Sequence, residues 1–181
     1  MEKGRGAVLG LDRTRVVVAP YDSAWPRLFD EEAARFRAAL GDRILSIEHV
    51  GSTSIPGMDA KPILDLMVGV ERLGEAERLL PALREMGYEH KADPDNPERI
   101  YLVRGPAECR THHLSLAETT SAFWRRHLRF RDLLRADSAL ADEYAHLKHA
   151  LAEHHRGDRP AYQDGKQSFI DGVLARDAAP G

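Results

Sequence analysis

The stretch His49-Val50-Gly51-Ser52-Thr53-Ser54-Ile55-Pro56-Gly57 lies between two apolar segments, at residues 44–50 and 62–70. Short apolar runs bounded by Gly, Ser and Pro predict two strands joined by a turn. Gly51 permits close approach of the backbone to a ligand, and the amides and hydroxyls of Ser52, Thr53 and Ser54 can form a nest for an anion. The pattern therefore indicates a phosphate-binding loop, with an ordinary strand-to-loop turn as the alternative.

The second strand carries a single carboxylate, Asp65, within an otherwise apolar run. Because side chains alternate along a strand, Ile63, Asp65 and Met67 share one face. We expect Asp65 to be largely buried, and a buried carboxylate is costly unless it has a partner or a metal. Asp65 is therefore a candidate catalytic residue and Mg²⁺ ligand, or else a structural partner of a nearby arginine. One carboxylate makes an incomplete Mg²⁺ site unless substrate phosphates supply further ligands.

A later pair of predicted strands contains a candidate histidine. Residues 99–103 and 110–116 predict an antiparallel hairpin. Its second strand carries His113, which we expect near Asp65 across the sheet as an acid or base, a metal ligand or a phosphate donor. A surface position is the alternative, since the chain has 9 histidines. His49 either lines the same pocket or holds the loop by hydrogen bonding.

The remaining pattern is mostly helical. Helices are predicted at residues 23–40, 75–86, 121–135, 138–155 and 160–175. Residues 1–14 are Gly-rich and charged and predict a flexible arm, and residues 15–19 predict a short strand. Strands mix with helices in the first two thirds and helices close the chain, which indicates one α/β (α+β) domain over residues 15–177 with a mixed sheet.

Basic residues in several elements are candidates for neutralising the charge of a ligand. Lys148 and Lys166, on two C-terminal helices, would complete an anion pocket above the loop, and Lys61 and Arg104 could add to it. Most arginines of the helix at residues 121–135 are expected on a solvated face, but Arg131 could point inward to a phosphate. Tyr144 lies on an apolar stripe that we interpret as core, and it is also a candidate for contact with the ligand.

Composition limits the class of protein. The chain has 181 residues, of which 43% are hydrophobic, enough for one domain with a core. A net charge of −3 argues against bulk attraction to nucleic acid. The single cysteine, Cys109, excludes an internal disulfide and indicates a reducing compartment. Residues 1–10 lack a signal-peptide core and no run resembles a membrane span, so we expect a cytoplasmic protein with no membrane partner.

Together these residues resemble the GrpB family, also called UPF0157, whose members have a nucleotidyltransferase-type fold. The resemblance extends over about residues 16–174, and its most specific piece is Glu48-His49-Val50-Gly51-Ser52-Thr53-Ser54-Ile55-Pro56-Gly57, followed by Ala60-Lys61-Pro62-Ile63-Leu64-Asp65. Further matches are Tyr21-Asp22 with Trp25, the strand at residues 110–116, Phe130-Arg131-Asp132 with Leu134-Arg135, Tyr144 with Leu147-Lys148, and Lys166 with Phe169-Ile170.

The resemblance implies a Gly-Ser signature, Gly51 and Ser52, that holds a nucleotide's phosphates, and it makes Asp65 one carboxylate of an acidic pair. Nucleotidyltransferases generally place a second acid two residues later and a third on a later strand, so that two metals are held. Met67 occupies the second position here. Relatives often read His-Leu-His where this chain has His113-Leu114-Ser115. These departures argue against ordinary two-metal nucleotidyl transfer.

Three functional hypotheses follow. The first is a divergent nucleotidyltransferase-type enzyme that acts on a nucleotide or another phosphorylated small molecule, with Mg²⁺ as its possible cofactor. The second is a non-catalytic ligand-binding or accessory module, because GrpB domains resemble a segment fused to dephospho-CoA kinases. The third is an enzyme of different chemistry built around Asp65 and His113. The sequence leaves the oligomeric state open.

Overall fold

The computed structural model describes residues 9–10 and 17–178 of the chain. Its strands are β1 (Ser46–Val50), β2 (Leu64–Val70), β3 (Glu89–Lys91), β4 (Arg99–Arg104) and β5 (His112–Glu118). Its helices are α1 (Trp25–Leu40), α2 (Leu73–Ala76), α3 (Leu80–Glu85), α4 (Ala122–Ala136), α5 (Ser138–His154) and α6 (Arg159–Ala178). Within the described residues, no helix is both long enough and apolar enough to cross a membrane.

Most of the predicted N-terminal arm at residues 1–14, and residues 15–16 of the predicted first strand, lie outside the described residues. Leu9 packs against the main core, and the Gly10 amide donates a hydrogen bond of 2.7 Å to the Pro62 carbonyl. In place of the strand predicted at residues 15–19, the described part shows an isolated antiparallel bridge between Ala19 and Ala60.

The five strands form one mixed sheet in the order β1-β2-β5-β4-β3. β2 and β5 run parallel at its centre, and the other neighbouring pairs are antiparallel, so the predicted mixed sheet and the β4–β5 hairpin are confirmed. β3 was not predicted, because its three residues Glu89-His90-Lys91 are polar. Such short, charged strands are typical of sheet edges, where they discourage pairing with another chain.

One face of the sheet is covered by α1, α2 and α3. Leucines and valines of β2 and β5 pack there against Trp25, Phe36 and Leu40 of α1. The helix predicted at residues 75–86 is broken into α2, a 3-10 turn at Glu77–Leu79, and α3. Pro81 stands in the first turn of α3, where its missing amide costs no helical hydrogen bond, so the second segment begins afresh.

The opposite face is covered by α4, followed by α5 and α6. Met67 and Ala117 pack there against Phe123 and Trp124 of α4. Asp65 and His113 belong to this same face, and they are register partners at the amino-terminal ends of the parallel strands β2 and β5. The fold therefore places both side chains at one end of the sheet, next to the loop that follows β1.

Candidate functional site

The Gly-Ser loop has a backbone that requires glycine at its first position. Gly51 has φ 69° and ψ −177°, a conformation that other residues rarely adopt. A Cβ at Gly51 would lie 2.4 Å from Oδ2 of Asp65, so a side chain there would also collide with the carboxylate. Residues Ser52–Ser54 form a 3-10 turn, in which the amide and the hydroxyl of Ser54 both donate to the Gly51 carbonyl, at 3.1 and 2.6 Å.

His49 supports this loop from the far face of the sheet. Its ring stacks on Phe29 of α1 with centroids 4.8 Å apart, and its Nε2 lies 3.0 Å from Oγ1 of Thr53. Thr53 donates its own proton to the Ile63 carbonyl, so His49 is the donor in their bond. Burial lowers the pKa of His49 to about 4, and the charges of Arg135 and Arg131 contribute. The structure thus favours the loop-holding role over a pocket-lining role.

Two arginines of α4 hold the loop from the near face. Arg131 donates to Oε2 of Glu48 at 2.7 Å and to the His49 carbonyl at 3.2 Å, so it pairs with β1 instead of pointing to a phosphate as predicted. Arg135 donates through Nε and Nη2 to the Ser54 carbonyl, at 3.1 and 2.9 Å. Sequence reasoning placed Arg135 on a solvated face. Its i, i+4 spacing from Arg131 is the signal that could have identified a shared role.

Asp65 and His113 form a hydrogen-bonded pair, with Nδ1 of His113 3.0 Å from Oδ1 of Asp65. The expectation that Asp65 is largely buried is wrong, because 40% of its side chain is exposed at the end of the sheet. Burial would raise the pKa of Asp65, but the hydrogen bond and charge of His113, with Lys166 and His49, outweigh it and lower the pKa below its usual range. An ionised Asp65 accepting from Nδ1–H leaves Nε2 of His113 for a ligand or for proton transfer.

A cleft of about 100 Å³ opens beside this pair. Its lining residues are Ser52, Thr53, Lys61, Ile63, Asp65, His113, Lys148, Tyr162, Gln163 and Lys166. The structure therefore brings together the predicted hydroxyls, the predicted pair and the three predicted lysines. Gly51 leaves no room for a side chain beside Asp65, whereas Ser54 turns its hydroxyl back to the loop backbone.

The three lysines are held in place by their neighbours. Lys148 is 2% exposed, and its Nζ donates to the Asp59 carbonyl. Burial and the nearby charge of Lys166 lower the pKa of Lys148 to about 7, while Asp59 acts in the opposite direction. Nζ of Lys61 and Nζ of Lys166 lie 4.4 and 4.8 Å from the centroid of the Tyr162 ring. Sequence reasoning did not assign Tyr162, although it lies four residues before Lys166 on one helix face.

Two predicted residues are not brought into the cleft. Arg104 is paired with His112 in the sheet, so strand alternation sends it to the opposite face from His113. There it donates to the buried carboxylate of Glu32 at 2.6 Å. Tyr144 is buried with its ring against Phe130 and Phe169, which confirms the core interpretation, and it shares an apolar cluster with Ile55, which follows the loop. Tyr144 therefore supports the loop from behind.

The residues present do not fit a two-metal centre. Met67, at the position of the second acid, is 1% exposed in an apolar cluster. The hydroxyl of Ser115 accepts from Nη1 of Arg99 at 3.0 Å, and the same guanidinium pairs with Asp93 at 2.5 Å. The described residues contain no group of three or more His, Cys, Asp or Glu that could hold a metal ion. One Mg²⁺ held by Asp65 and by ligand phosphates stays a prediction.

Comparisons of sequence agree with the resemblance. The family model described as GrpB protein matches residues 15–176. A UPF0157 protein of Pseudomonas aeruginosa is 40% identical over 168 residues, which cover 91% of this chain and 69% of that protein. A dephospho-CoA kinase of Mycolicibacterium paratuberculosis is 28% identical over 190 residues, which cover 91% of this chain and 46% of the kinase.

Comparisons of structure agree with the fold. The crystal structure of the conserved protein GrpB from Enterococcus faecalis superposes with a TM-score of 0.75 at 33% identity, covering 87% of this chain and 99% of that one. The structure of Cid1 in complex with its short product ApU superposes with a TM-score of 0.51 at 14% identity, covering 75% of this chain and 43% of Cid1. The second likeness shows a nucleotidyltransferase-like fold and nothing more. The chain belongs to the GrpB family.

Proposed function

We propose that this protein binds a nucleotide or another phosphorylated small molecule, with a phosphoryl group in the cleft between the Gly-Ser loop and α6. The observation that carries the proposal is the convergence of Lys61, Lys148 and Lys166 with the hydroxyl of Ser52 on one cleft. Ammonium and hydroxyl donors around a confined space suit phosphate oxygens, because charge-assisted hydrogen bonds are about twice as strong as neutral ones.

The electrostatics of the cleft supports the same ligand class. Three lysines face a single carboxylate, Asp65, which is itself hydrogen-bonded to His113. Crowding of like charges is visible at Lys148, whose pKa is lowered to about 7 by burial and by Lys166. An anion bound here would relieve that repulsion, so the cleft favours a negatively charged ligand over a neutral one.

The Asp65–His113 hydrogen bond favours an enzyme over a passive binding module. A carboxylate that fixes one ring nitrogen of a histidine orients the other for proton transfer, as general acid–base catalysis requires. The resulting function is that of a divergent transferase-type enzyme that works without a second acidic ligand. A cytoplasmic location remains part of this proposal, and cell fractionation tests it.

The alternative is a non-catalytic module that holds its ligand for another activity. The burial of Met67 favours it, because an apolar side chain fills the position of the second acid, and Ser115, where relatives often have a histidine, is engaged by Arg99. The similarity to a dephospho-CoA kinase makes dephospho-CoA metabolism a reasonable setting for such a module.

Calorimetric titration with pyrophosphate, ATP and dephospho-CoA, each with and without Mg²⁺, tests the proposal. We expect binding that Lys166→Met weakens by about tenfold or more, since one charge contact is lost from a confined site. Lys91→Met is the matched control, because Lys91 lies on the edge strand β3 beside Glu89. Absence of binding by every phosphorylated compound would refute the proposal, as would equal losses in the two variants. Turnover of ATP or dephospho-CoA that depends on His113 separates the enzyme from the passive module.

A further inference from the structure

The size of the cleft limits how much of a ligand it can take. Its volume is about 100 Å³. Sites that bury a drug-sized ligand measure about 300–1,000 Å³. The cleft is smaller than such sites, so we expect it to enclose a compact group such as a phosphoryl group. A ribose and a base would extend beyond it.

The lining offers no open platform on which a base could stack. Tyr162 is the one phenylalanine, tyrosine or tryptophan among the described lining residues, and it is 2% exposed. The ammonium groups of Lys61 and Lys166 already lie over its ring. Nucleic-acid-binding proteins that hold unpaired bases gain much of their affinity from aromatic rings that stay accessible. The Tyr162 ring instead positions two cations.

His113 is the other ring in the cleft, and it is also engaged. Its Nδ1 is tied to Asp65 at 3.0 Å, and its ring meets Tyr101 edge-on with centroids 5.8 Å apart. The hydrogen bond to Asp65 orients the edge of the imidazole ring toward polar partners. Stacking of a base on His113 is the one competing arrangement that the lining allows, and it gives a distinct experimental result.

The charges of the cleft match a doubly negative group. Lys61, Lys166 and the partly charged Lys148 face one ionised carboxylate, so the cleft carries positive charge that an incoming dianion would offset. A phosphate monoester is such a dianion near neutral pH. A neutral sugar or base would leave the lysines to repel one another.

We propose that the cleft recognises the terminal phosphoryl dianion of its ligand and leaves the nucleoside, or whatever else carries that phosphate, outside. This inference rests on the proposed function and narrows its ligand class to phosphate monoesters of widely different bodies. Tyr162 is then a positioning residue, which acts by holding Lys61 and Lys166 beside the phosphate.

Calorimetric titration with ribose 5-phosphate, AMP, UMP and GMP tests the inference, with adenosine and uridine as unphosphorylated controls. We expect the four phosphates to bind with dissociation constants within about threefold of one another, and the nucleosides not to bind at the same concentrations. A nucleotide that binds more than about tenfold tighter than ribose 5-phosphate would overturn the inference while leaving the proposed function intact. If no phosphate binds, the proposed function fails and the inference with it.

Variants of Tyr162 and His113 add a second readout. Tyr162→Phe keeps the ring and should leave all four affinities unchanged, whereas Tyr162→Leu should lower them by one common factor of about ten, because the cations lose their ring. Thermal melts of both variants identify any loss of folding. Lys61→Met leaves the Tyr162 ring in place and should also lower the four affinities by one common factor. His113→Ala would contradict the inference if it weakened AMP but spared ribose 5-phosphate, since that pattern reports a stacked base.

Discussion

The cleft has two sides that differ in what surrounds them. The loop side, residues 51–54, is held by Arg135 of α4, by His49 and by Tyr144. The strand side consists of Asp65 and His113, and Met67 and Ser115 lie two residues further along the same strands. Met67 fills the position of the second acid with a buried thioether, and the hydroxyl of Ser115 is bound by the Arg99 guanidinium. The loop side is therefore supported by several neighbouring elements, while an apolar side chain occupies the place of a second metal-binding acid on the strand side.

The largest expected effect comes from restoring an acid to the strand side. Met67→Asp should lower the free energy of unfolding by about 4 kcal/mol or more, because it places a carboxylate in an apolar cluster without a partner. Urea denaturation measures the change. Met67→Leu is the control and should cost less than about 1.5 kcal/mol. A well-folded Met67→Asp protein that gained Mg²⁺ affinity would show instead that this position can still accept a metal-binding acid.

The next largest expected effect is at Gly51, where the loop side lies against the strand side. Gly51→Ala should cost about 3 kcal/mol in unfolding free energy, because it adds a strained backbone conformation to a collision with Asp65. Gly57→Ala is the matched control, since Gly57 also has a positive φ of 77° but a Cβ added there would meet no atom within 4 Å. Equal costs at the two glycines would show that the contact with Asp65 is unimportant. Partial recovery in Gly51→Ala with Asp65→Ala would confirm the contact.

The smallest expected effect is on ligand affinity, and it distinguishes a cleft that binds phosphate without metal from one that needs Mg²⁺ to do so. Asp65→Asn keeps the size of the side chain and an acceptor for His113 but removes its negative charge. Without metal, phosphate binding should become tighter by about tenfold, because a like charge no longer faces the ligand. Titrations with pyrophosphate in the presence of EDTA and of Mg²⁺ measure this change. If Asp65→Asn instead weakened pyrophosphate binding only when Mg²⁺ is present, Asp65 would be identified as a metal ligand.

Much of the fold was predictable because it rests on alternation and on strong turn residues. The apolar runs around the Gly-Ser loop predicted β1 and β2, and alternation predicted that Asp65 and His113 share a face. The same rule excludes Arg104 from the cleft once its partner in the sheet is known to be His112. That pairing depends on hairpin register, which the turn residues do not fix.

Other parts depend on contacts between distant elements. β3 has no apolar pattern, and it forms because the backbone of β4 provides hydrogen-bond partners along its edge. The roles of Arg135 and Tyr162 arise when α4 and α6 dock against the loop and the strand ends, and their four-residue spacing from Arg131 and Lys166 does not by itself show which contacts they make. The exposure of Asp65 was mispredicted because an apolar neighbourhood along the chain does not show that a strand begins at the mouth of a cleft.

The bonds from Arg135 to Ser54 join residues 81 positions apart in the chain. Formation of the site is therefore a late event in folding, since closing so long a loop costs entropy before any contact repays it. During synthesis, the strands can pair before α4 leaves the ribosome, yet the Gly-Ser loop gains its support only afterwards. A nascent chain that ends after β5 should contain the whole sheet but no competent cleft.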